Sequence, residues 1–258
     1  MALGNRSLLL YGLEVTTNNR SIDFKAAGGG PEIQATLTVG FYSLQTLADE
    51  IAAQLNAANP VNVYTVTVDR TVGGGTSNRM TITTGGAYLS LLFLTGTRSG
   101  STAAPLLGYN VSDYTGATSY LSASGAGTAL TTDQRGYTYL PETINRKVFG
   151  AVNVAASGLK EAVVFQIQRF IQVEYKYEPA SKIPSWTDFM QWAIQQRFFD
   201  FTPDISDPAT FYVVTLESTA LDKQGLGFQF KEMLPSFPNF YQTGPLNMRV
   251  RAVGNSYL

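Results

Sequence analysis

Cysteine and histidine are both absent from the 258 residues. Without cysteine there are no disulfides, no zinc–thiolate sites and no thiol nucleophile. Without histidine the chain lacks the commonest general base and the commonest transition-metal ligand. Charge is scarce as well. Asp, Glu, Lys and Arg make up 14% of the chain, against about a quarter in ordinary globular proteins. The net charge is −1, and no basic run is longer than Arg146-Lys147. A nucleic-acid surface needs clustered positive charge to displace counterions, so that class is excluded. A surface poor in charge is instead covered by Thr, Ser, Asn, Gln and Gly, which suits faces that end against other subunits.

Long hydrophobic runs are missing too. Leu8-Leu9-Leu10 is too short for the apolar segment of a secretory signal. No stretch approaches the roughly 18 apolar residues of a spanning helix. The expectation is a protein that is soluble, or soluble-like within an assembly, and that does not span a membrane.

The first region, residues 1–118, reads as a small α+β unit. Leu8 to Val15 is an apolar strand, followed by turn residues at Thr16 to Asn19 and a short strand at Ile22 to Lys25. Ile33, Ala35, Leu37 and Val39 alternate with polar residues as one strand face would. Ser43 can then cap a helix whose Leu44, Leu47, Ala48, Ile51 and Leu55 recur at helical spacing, and Asn59-Pro60 stops it. Tyr64, Val66 and Val68, then Met80 and Ile82, alternate across Gly73-Gly74-Gly75 as a hairpin. Leu89 to Leu94 is another short apolar segment.

Residues 119–136, rich in Ser, Ala, Gly and Thr, read as a linker or an extended arm, with an ordered surface loop as the alternative. The second region, 137–258, is more aromatic. Phe165, Ile167, Ile171, Val173, Tyr175 and Tyr177 predict one long strand. Ser185, with Asp188 three residues on, predicts the start of a second helix bearing Trp186, Phe189, Met190, Ala193 and Ile194 on one face. Trp192 falls partly off that face. Further strands are expected at Phe211 to Glu217, Leu226 to Phe230 and Leu246 to Ala252, with Pro235 and Pro238 in a loop between the last two. The fold class is therefore β-dominated α+β: a small N-terminal domain with one helix on a sheet, then an antiparallel β-sandwich or barrel carrying one helix.

Candidate chemistry is thin. Asp200, Asp204 and Asp207 have a spacing that a calcium loop or an acid–base pair could use, but the glycine and terminal glutamate of a calcium loop are missing. Loop aspartates that cap turns are the plainer reading. The glycine triplets at 28–30 and 73–75 lack a following Lys-Ser or Lys-Thr, so they are loops and not phosphate cradles. No base–nucleophile pair can be named, and no catalytic, cofactor or metal residue is assigned. Trp186, Trp192, Phe198, Phe199 and Phe201 form the densest aromatic cluster. Such a cluster is most often a core, next a protein interface, and last a sugar platform. With Tyr120 and Leu121, which open the arm, they are the interface candidates.

Two stretches carry a resemblance. Val39-Gly40-Phe41-Tyr42-Ser43 runs into the helix, and Ala104-Pro105-Leu106-Leu107-Gly108-Tyr109 with Asp113 to Tyr120 follows the hairpin. This order resembles a module of phage virion proteins, in which a Leu-Leu-Gly-aromatic segment closes the unit. The Phe165–Tyr177 strand, the Trp186 to Trp192 helix, the Phe201-Thr202-Pro203-Asp204 turn and the final strands are similar to phage minor tail and baseplate (distal-tail-like) proteins. One place departs: Gln195-Gln196-Arg197 stands where such proteins carry glycine. The resemblance implies a non-enzymatic structural component of a phage tail, in a baseplate or distal-tail ring or adaptor. Its partners would be copies of itself, as a symmetric homo-oligomer, and other tail proteins, without nucleic acid. Its place would be the virion tail, assembled in the bacterial host cytoplasm. The alternatives are a glycan- or receptor-binding fibre module and a head–tail joining protein.

Overall fold

In the computed structural model the described residues are 6–70, 78–133, 145–154, 160–195, 197–217, 230–232, 239–254 and 256–257. Among the described residues the chain is β-dominated, with two α-helices and several sheets, and the pairings between these strands are antiparallel.

The N-terminal half contains β1 (Arg6–Tyr11), β2 (Glu14–Val15), β3 (Ser21–Lys25), β4 (Ile33–Thr36), β5 (Gly40–Phe41) and α1 (Leu44–Ala58). It continues with β6 (Tyr64–Asp69), β7 (Arg79–Thr84), β8 (Leu89–Leu92), β9 (Asp113–Ala117), β10 (Ser119–Leu121) and β11 (Thr128–Asp133). Sheets ordered β4-β3-β8-β9 and β10-β7-β6 surround one core. α1 lies against both β4 and β6. The expected stripe of Leu44, Leu47, Ala48, Ile51 and Leu55 is completely buried in that core. Each leucine or isoleucine side chain contributes about 1.5–3 kcal/mol of apolar burial. Ser43 caps the helix with Thr46 answering in a reciprocal capping box. Near the helix end the Asn56 amide donates to the Tyr64 carbonyl at 2.9 Å and accepts from the Tyr64 N–H at 2.8 Å, closing that point of the β6 edge.

The Leu-Leu-Gly-Tyr segment closes the same core, with Leu107 fully buried and Tyr109 nearly so. Gly108 has φ +79°, and a Cβ there would meet the Ser124 carbonyl oxygen at 2.2 Å. Only glycine fits that crossing.

The remaining elements are β12 (Asn145–Val154), β13 (Lys160–Val173), β14 (Glu178–Pro179), α2 (Ile183–Ala193), β15 (Phe199–Thr202), β16 (Tyr212–Leu216), β17 (Phe230–Glu232), β18 (Phe240–Thr243), β19 (Leu246–Val253) and β20 (Ser256–Tyr257). The large sheet runs β11-β1-β15-β16-β19-β13-β12, with β20 on β19. A small sheet, β14-β18-β17, stands beside it. α2 covers one face of the large sheet with Trp186, Phe189 and Ala193.

β1 belongs to both halves. Its continuous apolar run marks a strand covered on both faces. Leu9 and Tyr11 enter the α2 core, while Leu10 enters the α1 core.

Several expectations need correction. The Leu8–Val15 strand is two strands, divided where Gly12 turns at φ +80°. The alternation from Ile33 fails at Val39, which is 53% exposed, because β4 ends at Thr36. Two stretches of the expected linker are strands, and residues 122–127 form an ordered loop between them. Ser119–Leu121 pairs with β7, and Thr128–Asp133 pairs with β1 along its whole length. Ser and Thr suit a strand whose neighbours supply the apolar surface. The long strand starts earlier, at Lys160, and stops at Val173; Tyr177 adopts φ +63°, which extended backbone cannot follow. α2 starts at Ile183, so Ser185 lies inside its first turn and caps nothing, since Pro184 at the start presets helical φ. Leu226, Phe228, Pro235 and Pro238 lie outside the described residues, as do the glycines at 73–75.

Candidate junction and interaction surface

Alternation along β15 decides where the aromatic cluster goes. Phe199 and Phe201 point to α2 and are fully buried, as is Trp186. Their rings interlock with their neighbours: Trp186 lies 5.2 Å from Tyr175 and 5.9 Å from Phe189, which lies 5.0 Å from Phe199. As interface candidates, Trp186, Phe199 and Phe201 are therefore corrected. They are closed inside the chain's own core and offer nothing to a neighbour. Trp186 also donates its indole N–H to the buried Glu178 carboxylate at 3.4 Å, tying α2 to β14.

The other candidates lie nearer the surface. Trp192 is half-buried, 5.5 Å from the Tyr11 ring and 5.6 Å from the Arg197 guanidinium. Phe198 is half-buried against Phe211, Val213 and Ala252. Tyr120 is half-buried, and its hydroxyl donates to the Leu89 carbonyl at 2.9 Å. Leu121 is exposed. The structure thus splits the set between a closed core and separate surface positions.

Asp200 alternates to the opposite face of β15 and ends 1% exposed. Its Oδ2 accepts from Arg70 Nη1 at 3.0 Å and from the Leu44 N–H, the first amide of α1, at 3.4 Å. A carboxylate at a helix N-terminus is favoured by the exposed amides and the helix dipole. The Arg70 guanidinium lies over the Phe211 ring, 3.6 Å from its centroid. Among the described residues neither Asp200 Oδ1 nor Arg70 Nη2 has a hydrogen-bond partner. Burial pushes the Asp200 carboxyl above its ordinary range; Arg70 and the Leu44 amide oppose that push. This contact joins the α1 half to the large sheet.

A second contact lies at the same junction. Arg197 Nη1 pairs with Glu14 Oε2 at 2.7 Å, and the guanidinium is 5.2 Å from the Phe41 ring. Arg197, which follows α2, is thus a junction residue. Phe41 is 41% exposed.

Asp204 and Asp207 do not join Asp200. Asp204 accepts from the Ser206 amide and hydroxyl at 2.9 and 2.7 Å, and Asp207 accepts from the Thr210 hydroxyl at 2.7 Å. Both cap turns, as the plainer reading has it. Among the described residues no group of three or more carboxylates could hold a metal ion.

Sequence reasoning missed two features. Arg70 follows the β6 strand with no periodic signal, although the Phe-Asp-Phe alternation could have turned Asp200 away from the aromatic core. Val61 and Val63 are 87% and 67% exposed. Val61 lines an open groove of about 360 Å³, together with Ala26, Pro31, Ile33 and Asn59.

No protein-family model matches the chain, and a search of curated proteins finds no match to it.

Proposed function

We propose that the chain is a structural component of a bacteriophage tail, in a baseplate or distal-tail ring or adaptor. It would act by associating with copies of itself and docking onto neighbouring tail proteins. The observation that supports this reading most is the β12–β13 ribbon. The two strands pair from Asn145↔Phe170 to Val154↔Lys160, but only Phe170 to Val173 of β13 pair with β19. Most of the ribbon therefore lies beyond the sheet, and the outer edge of β12 pairs with no described strand. A two-stranded ribbon is marginal alone in water, and an open edge invites another strand. Exposed Phe41, Val61 and Val63 add apolar surface in the other half. In this reading the large and small sheets form a sandwich-like ring domain, supported by Phe230 of β17 packing against the α2 core.

The test is the mass of the purified protein in solution, with negative-stain imaging for rings. Closed rings are expected, six-fold for a tail ring. A monomer that stays monomeric with its co-expressed tail neighbours would overturn the reading.

A further inference from the structure

We propose that the Arg70–Asp200 contact is a proton-operated joint, which holds the α1 half rigidly to the large sheet when Asp200 is ionised and slackens when it is protonated. The geometry carries the argument. One carboxylate oxygen serves both halves, through Arg70 after β6 and through the first amide of α1. The pairing is one-sided, because Asp200 Oδ1 and Arg70 Nη2 are left without partners among the described residues. A fully buried charge compensated on one side is held weakly in its ionised form.

A second buried arginine–aspartate pair shows what complete compensation looks like. Asp23 accepts from the Arg98 backbone N–H at 2.6 Å and from Arg98 Nε at 2.9 Å. The same guanidinium donates to Thr36 Oγ1 at 2.6 Å and to the Ala35 carbonyl at 2.8 Å. That pair lies wholly within the α1 half. The half-compensated pair is the one placed between the halves.

The groups around Asp200 leave Arg70 as its partner. β1 places Leu10 opposite it and β16 places Val213. The charged residue on β1, Arg6, is exposed at the strand end. α1 contributes its first amide, and its Asp49 and Glu50 lie in later turns. Glu14 is committed to Arg197. With no histidine in the chain, carboxylates carry any response to mild acid.

When Asp200 takes a proton from solvent, Oδ2 loses the charge that holds Arg70. Arg70 is 15% exposed and keeps the Phe211 ring as a partner, so it can leave without being stranded. α1 keeps its Ser43 cap. The halves loosen while each stays folded. Because burial favours the protonated form in the folded chain, this group adds stability as pH falls through its folded midpoint toward 3.8, its ordinary value. Acid slackens the joint without unfolding the chain through it.

Infrared difference spectroscopy across a pH titration tests this directly at any assembly size. The protonated carboxyl band of Asp200, identified as the band lost in Asp200→Asn, is expected to appear with a midpoint above 3.8. Arg70→Gln should move that midpoint further up. Spin labels on Asp49→Cys and Ser206→Cys, unique sites in this chain, should show a distance distribution that broadens over the same window. A midpoint at or below 3.8, an Arg70→Gln variant with an unchanged midpoint, or a distance distribution indifferent to pH would each overturn the proposal.

Discussion

The core around α1 draws its residues from one stretch, Leu10 to Ala126, whereas the core under α2 takes Leu9, Tyr11 and Leu130 and then residues from Ile171 to Val250. One is contiguous and built around a helix; the other is assembled across the chain on a sheet that holds β1 between β11 and β15. Each contains or borders a buried arginine–aspartate pair, complete in the first and one-sided at the boundary with the second. The difference teaches that the contiguous core satisfies its polar groups internally, while the boundary carries the unfinished contact.

The sharpest way to break the comparison uses adjacent residues on β1. Leu9→Ala opens a cavity in the α2 core and Leu10→Ala opens one in the α1 core. Each should cost about 2–5 kcal/mol. Because β1 serves both, a single denaturation transition should move with either substitution. Two transitions, each moved by only one of the variants, would show that the cores are independent.

The ion pairs come next. Arg98→Met should cost about 3–5 kcal/mol, because it strands a buried Asp23 and removes bonds to Thr36 and Ala35. Arg70→Met should cost less, about 1–3 kcal/mol, since it removes one good bond and Asp200 can take a proton. Urea denaturation of both variants measures the difference, and equal losses would erase the distinction between a complete and a one-sided pair.

Smaller is the loss from Ser43→Ala, about 1 kcal/mol. The Ser43 cap and the Asp200 carboxylate serve the same helix end, so a double-mutant cycle with Asp200→Asn should be non-additive. Additivity would mean that Asp200 and the Ser43 cap act on α1 independently.

The smallest effect concerns Asp113. Burial alone would raise its carboxyl, but the Thr95 hydroxyl and the Leu94 and Thr95 amides outweigh it and hold the carboxyl below 3.8. Its contribution is therefore present above 3.8 and lost as pH falls through the lower folded value. The Tm gap between the native chain and Asp113→Asn should narrow on acidification below that point.

How far the sequence could be read follows the same division. The Leu44 to Leu55 stripe with its Ser43 cap, and the Tyr64–Val68 hairpin with its partner at Met80–Ile82, are set by local periodicity and appear as expected. The place of Leu8 to Tyr11 between Thr128–Asp133 and Phe199–Thr202 depends on segments far along the chain, and no local pattern encodes it. For the same reason Thr128 to Asp133 reads as a linker from composition, although it is a strand. Trp186, Phe199 and Phe201 show how aromatic density alone leaves core and interface unresolved until strand alternation is known. The Asp200 contact was out of reach because Arg70 comes from 130 residues away and no spacing links them.

The position of β1 also imposes a timetable on synthesis. Leu9 leaves the ribosome roughly 190 residues before its partner Phe201. At about 5–20 residues per second that is a wait on the order of ten to forty seconds. Throughout it the nascent Leu8-Leu9-Leu10 run has an apolar face without its final cover. The α1 half can gather its own residues within the first 126. The large sheet must form last, after translation has passed β19, and β1 is then the seam along which the late half is sewn onto the early one.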